Sequence, residues 1–172
     1  MHVLFVCTEN VSRSATAERI TTAFAEEVGT TELVASSAGT KAKAGQPMEK
    51  TAAAVLEGLG GDPSGFSARG LTAEIAGEAD LVLTMTESDR DEVVKLAPKQ
   101  SKKTFTLKEA ARLAEASGAT TVSALDAARS KFTTSDGPED VADPSGKDED
   151  TYLSVGSEIA ELTGALTRSV RS

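Results

Sequence analysis

The sequence predicts a small α/β domain in three layers, with helices on both faces of a parallel sheet, and three observations carry that prediction. Short apolar runs of strand length, Val3–Val6 and Leu81–Met85, alternate along the chain with stretches of helical spacing. The second run is apolar on both of its alternating faces, which suits a strand covered on each side by crossover helices. Glycine and proline punctuate the joins at Gly29, Gly60-Gly61-Asp62-Pro63 and Pro98. Alternation of this kind implies right-handed parallel crossovers, and such sheets bind ligands beyond the carboxyl ends of their strands.

The first strand ends at Cys7. From Ala15 to Val28 apolar residues recur at Ala17, Ile20, Ala23, Phe24 and Val28, a helical spacing closed by Gly29. A second strand is expected over Thr31–Ser36, stopping at Ser37-Ala38-Gly39-Thr40. A helix opening at Gln46-Pro47-Met48 runs through Leu59. Phe66–Thr72 reads as a loop before a short helix near Ala73–Ala76. Asp80–Met85 is the third strand, Glu87–Ala97 a helix, and Lys103–Thr106 a fourth strand. Helices follow at Leu107–Ala116 and Val122–Lys131, then a polar loop over Thr133–Asp150 and a closing amphipathic helix over Tyr152–Val170. No repeat or boundary divides the chain, so residues 1–172 are expected to form one domain.

Composition narrows the function. A hydrophobic content of 39% with 26% charged residues is that of an ordinary globular protein able to bury a core. The formal net charge of −9 argues against nucleic acid and anionic membranes as partners, since neither polyanion gains from an acidic surface. One cysteine rules out an internal disulfide framework and fits a reducing compartment. Met1 stands immediately before the first strand, with no basic-then-apolar leader and no membrane-length apolar run, so a cytoplasmic location is expected. With a single histidine and a single cysteine there is no cluster to hold a metal. His2 reads as a surface or strand-edge residue rather than a catalytic base.

The chemistry concentrates between the first strand and the first helix, in Cys7-Thr8-Glu9-Asn10-Val11-Ser12-Arg13-Ser14. A thiol below a helix N-terminus, with an arginine close by, is in a setting that favours the thiolate. The loop's backbone N–H groups can form an anion nest, and Arg13 can grip two oxygens of a tetrahedral oxyanion. A lone cysteine after a buried strand is most often an inert small hydrophobe. The arginine at fixed spacing, the hydroxyls of Ser12 and Ser14 as expected helix caps, and the strand–loop–helix setting favour a nucleophile aimed at phosphorus.

Cys-x-x-Asn-x-x-Arg-Ser directly after a first strand resembles the phosphate loop of the low-molecular-weight protein tyrosine phosphatases. Ser37-Ala38-Gly39-Thr40 is similar to that family's loop after its second strand, and Ala79–Met85 to its third strand. The resemblance implies a four-stranded parallel sheet and a cofactor-free, metal-independent phosphatase acting through a phosphocysteine. It also makes Asp143 of Asp143-Pro144 the general acid, a placement that an Asp-Pro turn alone does not license. Tyr152 matches an aromatic of the family's last helix. In that scheme Cys7, Arg13 and Asp143 are catalytic. Thr8, Glu9, Asn10, Val11, Ser12 and Ser14 line the phosphate; Asn10 holds the loop through Ser37, and Ser14 donates to Cys7. The expected partners are a phosphorylated protein or a small aryl phosphate.

Departures from the family pattern bear on specificity. Glu9 stands where a glycine is usual and places a carboxylate at an anion cradle. Ser12 replaces a frequent second cysteine, Ala15 a proline, and Phe66 a histidine that supports the loop. Ser145-Gly146 follows where tyrosine-specific members carry aromatic walls. Val11 replaces the threonine of phosphoarginine-directed relatives, which favours monoesters over phosphoramidates. Two rival functions fit the same residues: an arsenate reductase using an external thiol, and a phosphate-binding module with weak or no turnover.

Overall fold

The computed structural model describes residues 1–134 and 136–171; Ser135, within the expected polar loop, and the terminal Ser172 lie outside the described residues. Four strands form one all-parallel sheet in the order β2-β1-β3-β4. They are β1 (His2–Cys7), β2 (Val34–Gly39), β3 (Leu81–Thr84) and β4 (Thr104–Thr106). The helices are α1 (Arg13–Glu27), α2 (Lys50–Gly58), α3 (Ala73–Gly77), α4 (Glu87–Leu96), α5 (Leu107–Ser117), α6 (Val122–Ala128) and α7 (Glu149–Ser169). No helix among the described residues is long and apolar enough to cross a membrane.

Strand alternation sorts the core into two layers. Val3, Phe5 and Cys7 of β1 join Leu81, Leu83 and Phe105 on one face, under Leu107, Ala110 and Leu113 of α5 and Val155, Ile159 and Leu166 of α7. Leu4 and Val6 point the other way and meet Val82 with Ala76 of α3 and Val93 of α4. A third cluster, Ala15, Ala52, Leu56, Phe66 and Tyr152, seals α1 and α2 against α7. There the helices approach so closely that a Cβ on Gly156 would lie 2.8 Å from Val55 Cγ1. Helix starts carry the hydroxyl caps that local chemistry favours: Thr72, Thr86, Thr106 and Thr121 each accept from a backbone N–H two or three residues into the helix.

Several expected boundaries move. β2 begins at Val34 rather than Thr31, because its register starts by pairing with His2, and it runs on to Gly39 opposite Cys7. Gln46–Glu49 is not helical: Gln46 accepts from the Ala68 N–H and Glu49 donates to Val11 O, so tertiary pairing overrides the helix-start signal of Pro47. Glu49 instead caps α2 through Ala52 N–H. Lys103 closes a 3₁₀ turn ahead of β4, and α6 stops at Ala128, short of Lys131. His2 lies at the start of an interior strand, not an edge; its Nε2 is 2.6 Å from Ser36 Oγ, at the opposite end of β1 from Cys7.

Candidate active site

β1 delivers Cys7 to the carboxyl end of the sheet, 3% exposed, and the chain then turns around the sulfur before entering α1. The turn depends on Asn10, whose φ of +60° is the one left-handed value outside glycine among the described residues. That conformation directs the Asn10 N–H to Cys7 Sγ at 3.3 Å. The Asn10 side chain then satisfies its own polar atoms completely. Its amide donates to Ser14 Oγ at 2.8 Å and Ser37 Oγ at 2.9 Å, and its carbonyl accepts from Arg69 N–H at 3.0 Å. The Ser37 hydroxyl in turn donates to Glu18 Oε1 at 2.8 Å, and Glu18 is paired with Arg19.

This network assigns the hydroxyl protons. Ser14 Oγ accepts from Asn10 and lies 2.9 Å from Cys7 Sγ, so its single proton is free to point at the sulfur. Two donors, Asn10 N–H and Ser14 O–H, therefore face Sγ, an arrangement that stabilises negative charge there. Neither serine acts as expected for a helix cap. Ser12 occupies the cap position of α1 but makes no side-chain cap hydrogen bond, and Ser14 is committed to the sulfur and Asn10.

The loop fits tightly against β2. A Cβ on Gly39 would fall 2.6 Å from Thr8 O and 3.0 Å from Asn10 Cβ, so only glycine allows the two backbones to meet here. Thr40 N–H and Lys41 N–H then donate to the carbonyls of Cys7 and Thr8. Phe66 plays no polar part in loop support. It packs in the third core cluster with the Arg19 guanidinium 5.4 Å from its ring centre, and the Asn10–Ser37–Arg69–Glu18 chain braces the loop instead.

Arg13 opens α1 and is 5% exposed. One guanidinium nitrogen donates to Val141 O at 2.9 Å, and another lies 3.8 Å from Asp143 Oδ2. Cys7, Glu9, Asn10, Val11, Ser12, Arg13, Asp143 and Ser145 thus line one small cavity. Glu9 is exposed at its rim, and Thr8 turns aside to donate to Asp89 at 3.3 Å. Asp143 is half exposed; burial pushes its carboxyl up, but the N–H and hydroxyl of Ser145, with Arg13, hold it on balance below the usual carboxylate range. Behind the loop, Asp89 is 3% exposed and accepts from the hydroxyls of Thr8, Thr40 and Thr86. Burial raises its pKa despite those bonds and Arg13. Tyr152 is also raised, first by burial and then by the Glu49 carboxylate.

Arg69 and Asp89 carried no sequence signal, because each meets the loop from a distant part of the chain, and Glu18, on the helix that follows the loop, acts through Ser37 of β2. The fold and loop together define a class of cysteine-based phosphatases. Residues 2–120 match the family model described as low molecular weight phosphotyrosine protein phosphatase, and the chain belongs to that family. Membership supports cysteine-based phosphatase activity. Among solved structures, the low molecular weight protein tyrosine phosphatase of T. tengcongensis is 32% identical, with 98% of each chain covered and a TM-score of 0.77. The YwlE arginine phosphatase of Geobacillus stearothermophilus is 29% identical over 97% of this chain and 90% of its own, with a TM-score of 0.74. A YwlE C7S variant with a phosphorylated active-site serine is 28% identical over 98% of this chain and 94% of its own, with a TM-score of 0.77. No curated protein matches the chain.

Proposed function

We propose that the chain hydrolyses phosphate monoesters, protein phosphotyrosine foremost, through a phosphocysteine on Cys7. One observation carries the reading: sulfur, guanidinium and carboxyl of Cys7, Arg13 and Asp143 line a single cavity at the mouth of the sheet. In the first step the Cys7 thiolate bonds to phosphorus while the bond to the leaving oxygen breaks, and the Asp143 proton passes to that oxygen. In the second, water attacks phosphorus, gives a proton to the Asp143 carboxylate, and the S–P bond breaks to restore the thiolate. Arg13 and the backbone amides of Thr8–Ser14 hold the equatorial oxygens throughout.

The lowered pKa of Asp143 in the free site shapes how the proton arrives. A bound phosphate occupies Arg13 and adds negative charge beside the carboxyl, and both effects favour its protonated form. The substrate monoanion brings that proton with it. Val11 supports monoesters over phosphoarginine, since its side chain offers no hydroxyl to the bridging N–H of a phosphoramidate. Aryl-phosphate turnover by wild type, C7S and D143N tests the assignment, with phosphoarginine as the competing substrate. Turnover retained by C7S would refute it; faster cleavage of phosphoarginine would move the substrate class while leaving the nucleophile in place. Reduction of arsenate with a small thiol and no aryl-phosphate cleavage would point to the reductase instead.

A further inference from the structure

Asp143 lies on the segment between α6 and α7, half exposed, and among the described residues its one charged contact is Arg13 at 3.8 Å. A carboxyl on such a segment has many conformations to lose before it can meet a leaving group. Four residues upstream the segment is gripped from a helix that takes no part in the cavity. Arg112 of α5 makes a two-pronged pair with Glu139, Nε to Oε2 and Nη2 to Oε1, both at 2.9 Å. Its remaining nitrogen donates to Phe132 O, so one guanidinium ties together both ends of residues 132–139. The grip continues residue by residue. Glu139 N–H donates to Glu87 Oε2 and Glu87 N–H donates to Asp140 Oδ1, each at 2.8 Å, which pins the segment to the first turn of α4. Val141, fully buried, donates to Met85 O at 2.7 Å beyond the end of β3 and accepts from Arg13.

We propose that Arg112 and Glu139 are positioning residues for the general acid: their pair sets the register of residues 139–143 and thereby where the Asp143 carboxyl stands. The proposal rests on the phosphatase reading above, in which Asp143 protonates the leaving oxygen. Neither residue lines the cavity that holds Cys7, Arg13 and Asp143. The planar fork of arginine matters here, because a lysine supplies the charge but not two parallel hydrogen bonds of fixed direction.

A general acid matters in proportion to how poorly the leaving group departs by itself. The test is therefore kcat/KM, which reports the leaving-group step, on phenyl phosphate and on 2,4-dinitrophenyl phosphate. The enzymes are wild type, R112M, R112K, E139Q, D143N and the R112M/D143N double variant. Displacing a catalytic group by about an ångström costs up to about 100-fold. R112M is expected to lose about 10-fold on phenyl phosphate and less than about twofold on the dinitrophenyl ester, with R112K and E139Q in between. In the D143N background R112M should cost nothing further on phenyl phosphate, because the group it positions is already gone. Equal losses on both esters, no loss on either, or full additivity with D143N would overturn the proposal. Should R112M lose its cooperative thermal transition, the milder E139Q carries the same comparison. If D143N itself shows no leaving-group dependence, the acid assignment fails first; if it shows the dependence and the clasp variants do not, only the clasp fails.

Discussion

Two loops meet at the cavity, and they are held by opposite means. The loop of residues 7–14 is short and largely buried, and Asn10 ties it internally to Ser14 and Cys7 as well as outward to Ser37 and Arg69. Residues 136–148, which carry Asp143, form no helix or strand, and their fixed points lie on Met85, Glu87, Arg112 and Arg13, none of them within that stretch. Cys7 thus owes much of its setting to bonds within its own loop, whereas Asp143 stands where the rest of the molecule holds it. Damage to the first loop should be severe and indifferent to the leaving group. Damage to the second should be graded and leaving-group dependent.

The sharpest break of this contrast is Cys7→Ser, expected to lower turnover by about 10⁴-fold or more on every aryl phosphate, read by steady-state kinetics. Next, Asp143→Asn should cost roughly 10²–10³-fold on phenyl phosphate and far less on the dinitrophenyl ester. Because Asp143 is held below its usual range in the free site, wild-type kcat/KM should fall above about pH 6, the second ionisation of the phosphate, as the monoanion that carries the proton disappears. Asn10→Ala removes three side-chain hydrogen bonds and leaves alanine at φ +60°, at a cost of about 3 kcal/mol in thermal or denaturant melts. Asn10→Gly should be milder by about 1 kcal/mol, since glycine accepts that φ without strain.

Asp89 gives a smaller and pH-dependent effect. Its folded pKa is raised, so its favourable contribution to folding is complete below the unfolded value near 3.8 and is lost as pH climbs through the folded value. Asp89→Asn should therefore melt higher than wild type at pH 7, with the gap closing as pH falls toward the unfolded value. Glu9→Gln should move least: a roughly twofold lower KM at low ionic strength that fades in high salt, as expected for an exposed charge beside an anion site.

How much of this was legible in the sequence follows the same divide. β1 and β3 announce themselves as short apolar runs and α4 and α5 as stretches of helical spacing, and the Cys7–Ser14 spacing lies within one stretch of chain. What sequence spacing could not reveal depends on partners far along the chain. Asn10 was expected to lean on Ser37, and does, but its bond to Arg69 N–H comes from the connection between α2 and α3, 59 residues along the chain. Ser12 and Ser14 looked like caps because their residue type favours that role, but the sulfur and Asn10 claim Ser14 first. Pro47 looked like a helix opening, yet pairing with Ala68 keeps that stretch out of a helix. The Arg112–Glu139 pair spans α5 and the loop beyond α6, and no motif connects the two positions.

Tyr152 is the chain's single tyrosine, and there is no tryptophan. Its ring is 7% exposed and lines a crevice with Arg13 and Pro144, the residue after Asp143. The molecule therefore carries a built-in fluorophore beside the segment that bears Asp143. Near-ultraviolet emission, with no label attached, should report each time that segment shifts or a tetrahedral anion such as vanadate settles against Arg13.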